Sequence, residues 1–371
     1  MRIFQISPTG IQESGDLPPG APADAYVWIA CSRQEFDSGL AEIQASLQTL
    51  CGMQLVDLHV SDLLNQQLPS RYDYTAQYDL LVFRRLSAGN NPSDARPDRA
   101  SPATAGLHKR SGPPILRHIN TSPVGFAIFD KVLLTVHPAD CAVREAYATK
   151  LLAAAADQSR GASARMPVSP PDLMLRIVNQ MVDGYLALRR ELTRQLDHWQ
   201  AELLAPNTRF NNWVSLLEAR LSLSGLDEVC EDQRTALQDW TAALESWPEA
   251  TTAALQREHD LLKVRSRDVL EHIERVVRHV RRLEQSTETT VQMHFNAQSN
   301  RTNEIMRTLT ALTAVFLPLN LITGFFGMNF EYLPLIHRQA GLWWAIASMT
   351  IVGLAFVLVF WRKRYLARSA R

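Results

Sequence analysis

Seven residues near the C-terminal end, Asn303, Met306, Thr310, Thr313, Leu317, Asn320 and Gly324, recur at intervals of three and four. On a helix that spacing puts them on one face. Asn and Thr supply amide and hydroxyl groups that hydrogen-bond to water, including the water around a cation. Val315, Phe316, Leu319, Ile322 and Phe326 fall largely off the stripe and suit lipid or neighbouring helices. A single helix cannot enclose water. The stripe therefore either hydrogen-bonds between packed helices or lines a path assembled from several chains.

Other chemistries find little support. Cys31, Cys51, Cys141 and Cys230 form no CxxC and no paired spacing with His, which excludes a sequence-evident zinc cage or disulfide framework and fits a reducing compartment. There is no nucleophile elbow, phosphate loop or HExxH. No enzyme and no organic cofactor are expected. Lys and Arg number 38 against 38 Asp and Glu, so the basic footprint of a nucleic-acid binder is missing. Arg275, Arg278, Arg281 and Arg282 form a local basic cluster, read as a solvated helix face near a bilayer. His272 and His279, one heptad apart, are read as surface residues rather than soft-metal ligands.

The stripe must be held by a membrane element. Ile305 to Phe326 has one charge, Arg307 near its start, and Leu342 to Trp361 has none. Each is long enough at ~1.5 Å per residue to cross a roughly 30 Å hydrocarbon core. The tail RKRYLARSAR is basic without an acid, which places it in the cytoplasm. Two spans then return the N-terminal bulk to the same side, and the start MRIFQISPTG lacks an apolar signal core. The expectation is a multi-pass protein of the cell (inner) membrane with both termini cytoplasmic. Two spans per chain are too few for a conduction path, so a transporter of this kind would be a homo-oligomer.

Upstream, 25–32, 79–85 and 123–136 read as strands, and SGLAEIQASLQTLCG as a helix capped by Gly52. The predicted fold class is an α/β cytoplasmic domain followed by a long stalk helix and two transmembrane helices. The α/β domain takes residues 1–170, with a flexible Pro/Ser/Gly-rich insertion over 87–114. A helical region and stalk follow over 171–304, with breaks at Pro206, Gly225 and Pro248. From Glu249 to Leu317 there is neither Gly nor Pro, enough helix for roughly 100 Å. The first span is 305–326, an external loop 327–341, the second span 342–361 and the tail 362–371.

The run SNRTNEIMRTLTALTAVFLPLNLITGFFGMNFEYLP, with Gly327-Met328-Asn329 after a proline-containing span and before a second span and basic tail, resembles the signature of the CorA-type magnesium transporter family. The motif-level likeness covers about Arg265 to Arg371; the N-terminal part agrees in architecture. The resemblance implies a homopentameric funnel with a central pore, embedded in the lipid bilayer, with Mg²⁺ as transported and regulatory ion and Co²⁺ or Ni²⁺ as further cargo. It assigns Gly327, Met328 and Asn329 to the selectivity motif, and Asn303, Met306, Leu309, Thr310, Leu317, Asn320 and Gly324 to the pore lining. Thr313 joins that lining from periodicity alone. Asn amides suit an ion that gives up water reluctantly, and rings of Met306, Leu309 and Leu317 suit gating by dewetting.

The resemblance further implies regulatory divalent-binding carboxylates, at Asp268 in RDVLEH and Asp62 in SDLLN. One departure concerns the loop. It reads Leu333-Pro334-Leu335-Ile336 where the family's best-known form has Met-Pro-Glu-Leu, leaving Glu331 as its only acid and weakening cation attraction at the mouth. Two alternatives remain. A zinc transporter of the ZntB branch typically varies the middle motif residue and lacks the Phe-Glu-Tyr continuation, so Met328 to Tyr332 favours magnesium. A non-conducting, membrane-tethered metal sensor or scaffold is the other.

Overall fold

The computed structural model describes residues 1–8, 10–18, 20, 25–88, 119–139, 142–156, 166–204, 213–248, 251–328 and 339–362. The chain divides into two compact units, Met1–Thr289 and Thr290–Arg371.

The first unit is built on strands β1 (Arg2–Ser7), β2 (Gly10–Ser14), β3 (Tyr26–Ser32), β4 (Arg71–Tyr74), β5 (Asp79–Arg84), β8 (Pro123–Ile128) and β9 (Val132–His137). They form one sheet in the order β2-β1-β3-β9-β8-β5-β4. Only β3 and β9 run parallel; the other neighbours are antiparallel. The stretch expected as strand over 123–136 is two strands: Phe129 N–H bonds to the Val132 carbonyl at 2.9 Å and turns the chain back. A short pair, β6 (Ser87–Ala88) and β7 (Ile119–Asn120), brackets residues 89–118, so all but the first two residues of the insertion expected at 87–114 lie outside the described residues.

Both faces of the central strands are covered, which is why they read as unbroken apolar runs. Val27, Ile29 and Cys31 of β3 pack with Phe36, Ile43, Leu47 and Leu63 from α1 (Arg33–Ser38), α2 (Leu40–Cys51) and α3 (Asp57–Leu64). Trp28, on the opposite face, stacks on Phe4 at 4.8 Å and meets Tyr147 edge-on at 6.0 Å, the latter from α4 (Ala142–Ala156). Its indole N–H donates to Thr135 Oγ1 at 2.9 Å, satisfying the one polar group it buries. Local signals set the helix ends. Ser32 and Glu35 form a reciprocal capping box at α1. Gly52 takes φ 76°, and its N–H reaches the Gln48 carbonyl at 3.0 Å, a left-handed closure that favours glycine.

Three long helices follow: α5 (Pro170–Leu204), α6 (Trp213–Glu245) and α7 (Ala253–Phe326). α6 runs straight through Gly225, where a break was expected. Leu223, Leu226 and Cys230 around it are all buried, and that packing offsets the ~1 kcal/mol a helical glycine costs. Pro206 lies outside the described residues, and α6 ends three residues before Pro248. Within the first unit, α7 buries Leu262, Ser266, Val269, Ile273, Val276, Val280, Leu283 and Thr287. These alternate by four and three, the seam of packed helices. Polar ties cross it: Trp240 Nε1 donates to Ser266 Oγ at 3.0 Å. Asp172, fully buried at the start of α5, is held by Arg176 at 3.3 Å and Arg265 at 2.7 Å.

In the second unit α7 continues to Phe326, and α8 (Gln339–Arg362) follows. Both are long and apolar enough to cross a membrane, and their most apolar stretches are almost wholly unburied within the single chain.

Candidate functional site

The polar stripe lies along one face of α7. Asn303, Met306, Leu309, Thr310, Thr313, Leu317, Asn320 and Gly324 are all exposed in the single chain; Met306, Leu309 and Leu317 are 58%, 56% and 69% exposed. The threonine hydroxyls on this stretch already have acceptors. Thr310 Oγ1 donates to the Met306 carbonyl at 2.8 Å and Thr313 Oγ1 to the Leu309 carbonyl at 2.9 Å. Spending the O–H on the helix leaves the oxygen lone pairs for what lies outside. α7 also passes through Pro318, which brings no N–H to the carbonyl of Ala314 four residues earlier.

The helix ends at the motif. Gly327 N–H bonds to the Thr323 carbonyl at 2.9 Å and Met328 N–H to the Phe325 carbonyl at 3.4 Å. A Cβ at position 327 would stand 3.0 Å from the Thr323 carbonyl oxygen, so a side chain there would crowd the closing turn. Asn329, Glu331 and Leu335 lie outside the described residues, as do 363–371 of the basic tail.

The two carboxylates expected to be regulatory differ in setting. Asp268 sits on α7 with a 62% exposed side chain, 3.9 Å from His272 Nε2. Asp62 sits on α3, buried, its Oδ2 accepting from Arg71 Nη2 at 3.0 Å. The same nitrogen donates to Asp73 Oδ2 at 3.1 Å, and Asp73 Oδ2 lies 3.6 Å from His59 Nε2. His59 Nδ1 is 2.7 Å from the Tyr78 hydroxyl. Arg71, Asp73 and His59 were missed in the sequence. Two signals were available: Arg71 and Asp73 are two apart on a strand, hence on one face, and His59 and Asp62 are three apart on a helix. Among the described residues no group of three His, Cys, Asp or Glu side chains is arranged to hold a metal ion.

His279 corrects an expectation. It is buried rather than a surface residue: Nδ1 is 2.8 Å from the Tyr185 hydroxyl and Nε2 3.1 Å from Thr193 Oγ1. Burial first, then the Arg189 and Arg282 charges, push its pKa down to about 4, so it is neutral at pH 7 and both nitrogens are occupied. Of the basic cluster, Arg275 and Arg278 are exposed beside Glu271 and Glu274 on their own helix. Arg281 instead reaches Asp227 at 3.1 Å and also Glu231 on α6.

Comparison with known proteins agrees with this architecture. A family model described as CorA-like Mg²⁺ transporter protein matches residues 105–364. The cobalt/magnesium transport protein CorA of Thermotoga maritima is 32% identical over 100 residues, 27% of this chain and 28% of that protein. The magnesium transport protein CorA of Yersinia pestis is 36% identical over 101 residues, 27% of this chain and 32% of that one. The aligned segments thus span about a third or less of these relatives' own length. The complete structure of the CorA magnesium transporter from Methanocaldococcus jannaschii superposes with a TM-score of 0.68 at 17% identity, covering 98% of both chains. The full-length CmaX protein gives 0.57 at 19% identity, covering 98% of this chain and 97% of that one. These two establish the likeness of fold, and the family model covers well over half of the sequence: the chain belongs to the CorA-like Mg²⁺ transporter family.

Proposed function

We propose that this protein conducts divalent cations, Mg²⁺ foremost, into the cell as a homopentamer whose pore is lined by the polar face of α7. The observation that carries the reading is that face. Asn303, Thr310, Thr313 and Asn320 are exposed in the single chain on a helix long and apolar enough to span a membrane. Polar groups at membrane depth belong against protein or water, not lipid. Copies of the chain arranged about an axis meet that demand, and the names of the matched relatives, cobalt/magnesium and magnesium transport proteins, point to the ion.

In this reading Asn329 holds a hydrated ion at the outer mouth, because an amide oxygen accepts from water that Mg²⁺ does not readily release. Rings of Met306, Leu309 and Leu317 form apolar constrictions that close by dewetting. With both termini in the cytoplasm, an inside-negative potential favours entry by about 4.6 kcal/mol per 100 mV for a divalent ion, at ~2.3 per charge. Asp268 of one copy and Asp62 of the next, once Asp62 is released from Arg71, repel unless a divalent cation lies between them, so internal Mg²⁺ holds the assembly closed. Co²⁺ and Ni²⁺ are secondary cargo, and Glu331 is the loop's remaining attraction for cations.

Uptake into liposomes tests this, comparing Mg²⁺, Co²⁺ and Zn²⁺ for the natural chain and Asn329→Ala. The expected result is Mg²⁺ uptake that falls more than about tenfold in the variant, the scale of losing one ion-orienting hydrogen-bond group, with the oligomer unchanged. Equal Mg²⁺ flux in both proteins would remove the filter role of Asn329, and no Mg²⁺ flux through the natural chain would remove the conducting reading.

A further inference from the structure

Around Asp62 the fold has already installed a cation of its own. Arg71 Nη2 is shared between Asp62 Oδ2 at 3.0 Å and Asp73 Oδ2 at 3.1 Å. One nitrogen therefore sits between carboxylates from α3 and β4. His59 braces Asp73 at 3.6 Å and is itself braced by Tyr78 at 2.7 Å. The partners differ in burial: the Asp62 side chain is 11% exposed and the Arg71 side chain 36%. A carboxylate so enclosed is costly to leave charged and unpaired.

We propose that Arg71 is an internal competitor for the divalent cation at Asp62 and sets the Mg²⁺ concentration at which the regulatory site fills. The proposal rests on the reading of Asp62 as a regulatory ligand. The two cations exclude one another. Mg²⁺ demands oxygen contacts near 2.0–2.1 Å, inside the space now taken by a guanidinium at hydrogen-bonding distance. Arg71 is the partner that moves, because its side chain is the more exposed and Asp62 is fixed in a buried helix face. Asp73, 39% exposed, gives the displaced guanidinium a place to go, so releasing Asp62 strands no charge. Filling the site thus exchanges one charge-assisted hydrogen bond for an ion, and the threshold for Mg²⁺ is raised by the strength of that bond.

The test is thermal unfolding of the full-length protein in detergent micelles over a Mg²⁺ titration, since an ion that binds the folded state raises the melting temperature. Arg71→Gln should lower the Mg²⁺ concentration for half-maximal stabilisation by about tenfold, the low end for a charge-assisted hydrogen bond. Arg71→Lys, which keeps the charge but not the planar fork, should fall between. The double variant Arg71→Gln/Asp62→Asn should lose the gain. An unchanged midpoint in both single variants overturns the proposal, as does an absence of Mg²⁺ stabilisation in Arg71→Gln. The underlying reading is judged separately by Asp268→Ala. If that variant keeps the natural chain's Mg²⁺ response while Arg71→Gln still shifts its own, the ion binds at Asp62 without a neighbouring Asp268; Arg71 remains its competitor, and only the inter-copy bridge falls.

Discussion

The two halves of α7 share a periodicity and differ in what it faces. Up to Thr289 the helix buries Leu262, Val269, Ile273, Val280 and Leu283 inside its own chain. From Thr290 to Phe326 it buries, among the described residues, Thr290, His294 and Ala311. Propensity alone does not hold a long helix rigid in water; packing of an apolar stripe does. The first half has its partners in the chain. The second half has Leu309, Leu312, Phe316, Leu317 and Leu321 facing outward in the single chain, and on the proposed reading its partners are lipid and other copies. Stability is therefore lodged in one half of the helix and conduction, on the proposed reading, in the other.

The sharpest way to break that contrast is at Asp172. It is fully buried between Arg176 and Arg265, and it also accepts from the Val168 N–H at 3.1 Å. Asp172→Ala leaves two arginines without their shared anion at the junction of α5 and α7. A loss of about 3–5 kcal/mol is expected, the range for breaking a buried pair from one side. Denaturant unfolding of the full-length protein checks it, and a change below 1 kcal/mol would mean water already reaches the pair.

A matched truncation compares the halves directly. Leu262 is 1% exposed and Leu309 is 56% exposed. Leu262→Ala should cost about 2–5 kcal/mol through lost burial and a cavity. Leu309→Ala should leave the unfolding midpoint of the first unit unchanged, because it empties no core, while altering Mg²⁺ flux if, as proposed, Leu309 forms a constriction. Equal destabilisation by both would erase the division of labour.

How far these features could be read in advance follows from where their partners lie along the chain. The polar stripe and the Gly52 cap were legible because each is written within a few turns of one helix. Gly225 misled, since what carries α6 through it is the burial of Leu223, Leu226 and Cys230 against other elements, and spacing does not reveal that. His279 misled for the same reason: its partner Tyr185 is 94 residues upstream. The Arg71 bridge was hidden differently: Asp62 and Arg71 are only nine residues apart, but they sit on α3 and β4, and the periodicity of neither element relates one to the other.

The buried histidine makes the helical bundle sensitive to acid. Its pKa in the folded protein, about 4, is below the ordinary 6.5 or so of an unfolded chain. Between those values the unfolded state binds a proton that the folded state refuses, so stability falls as the pH drops from about 6.5 to about 4 and is level above that window. The contribution is on the order of 2 kcal/mol. His279→Gln should be less stable at pH 7, having lost one of two hydrogen bonds, yet show a shallower loss of melting temperature between pH 7 and pH 5. A parallel pH slope in both proteins would show that other groups govern the acid response.

The smallest effect is expected at the helix surface, where two arginines one turn apart have different partners. Arg278 lies 3.5 Å from Glu274 on its own helix and is 65% exposed. Arg281 is 54% exposed but ties α7 to α6 through Asp227 and Glu231. Water screens both, so neither exceeds about 1 kcal/mol. Their order still follows from geometry. The Arg278 pair joins residues already fixed by one helix, worth about 0.3–0.5 kcal/mol at most. Arg281 meets two carboxylates on a second helix, so its loss also loosens a contact between elements. Arg281→Met keeps the aliphatic packing of the stem and should cost roughly 0.5–1 kcal/mol, falling towards zero in 1 M salt, where the screening length shrinks to about 3 Å. Arg278→Met should lie within about 0.5 kcal/mol of the natural chain in either buffer. A double-mutant cycle between Arg281 and Asp227 isolates the term. A coupling that survives high salt would mean the pair is shielded from water, and the α6–α7 seam would then be held electrostatically as well as by its apolar row.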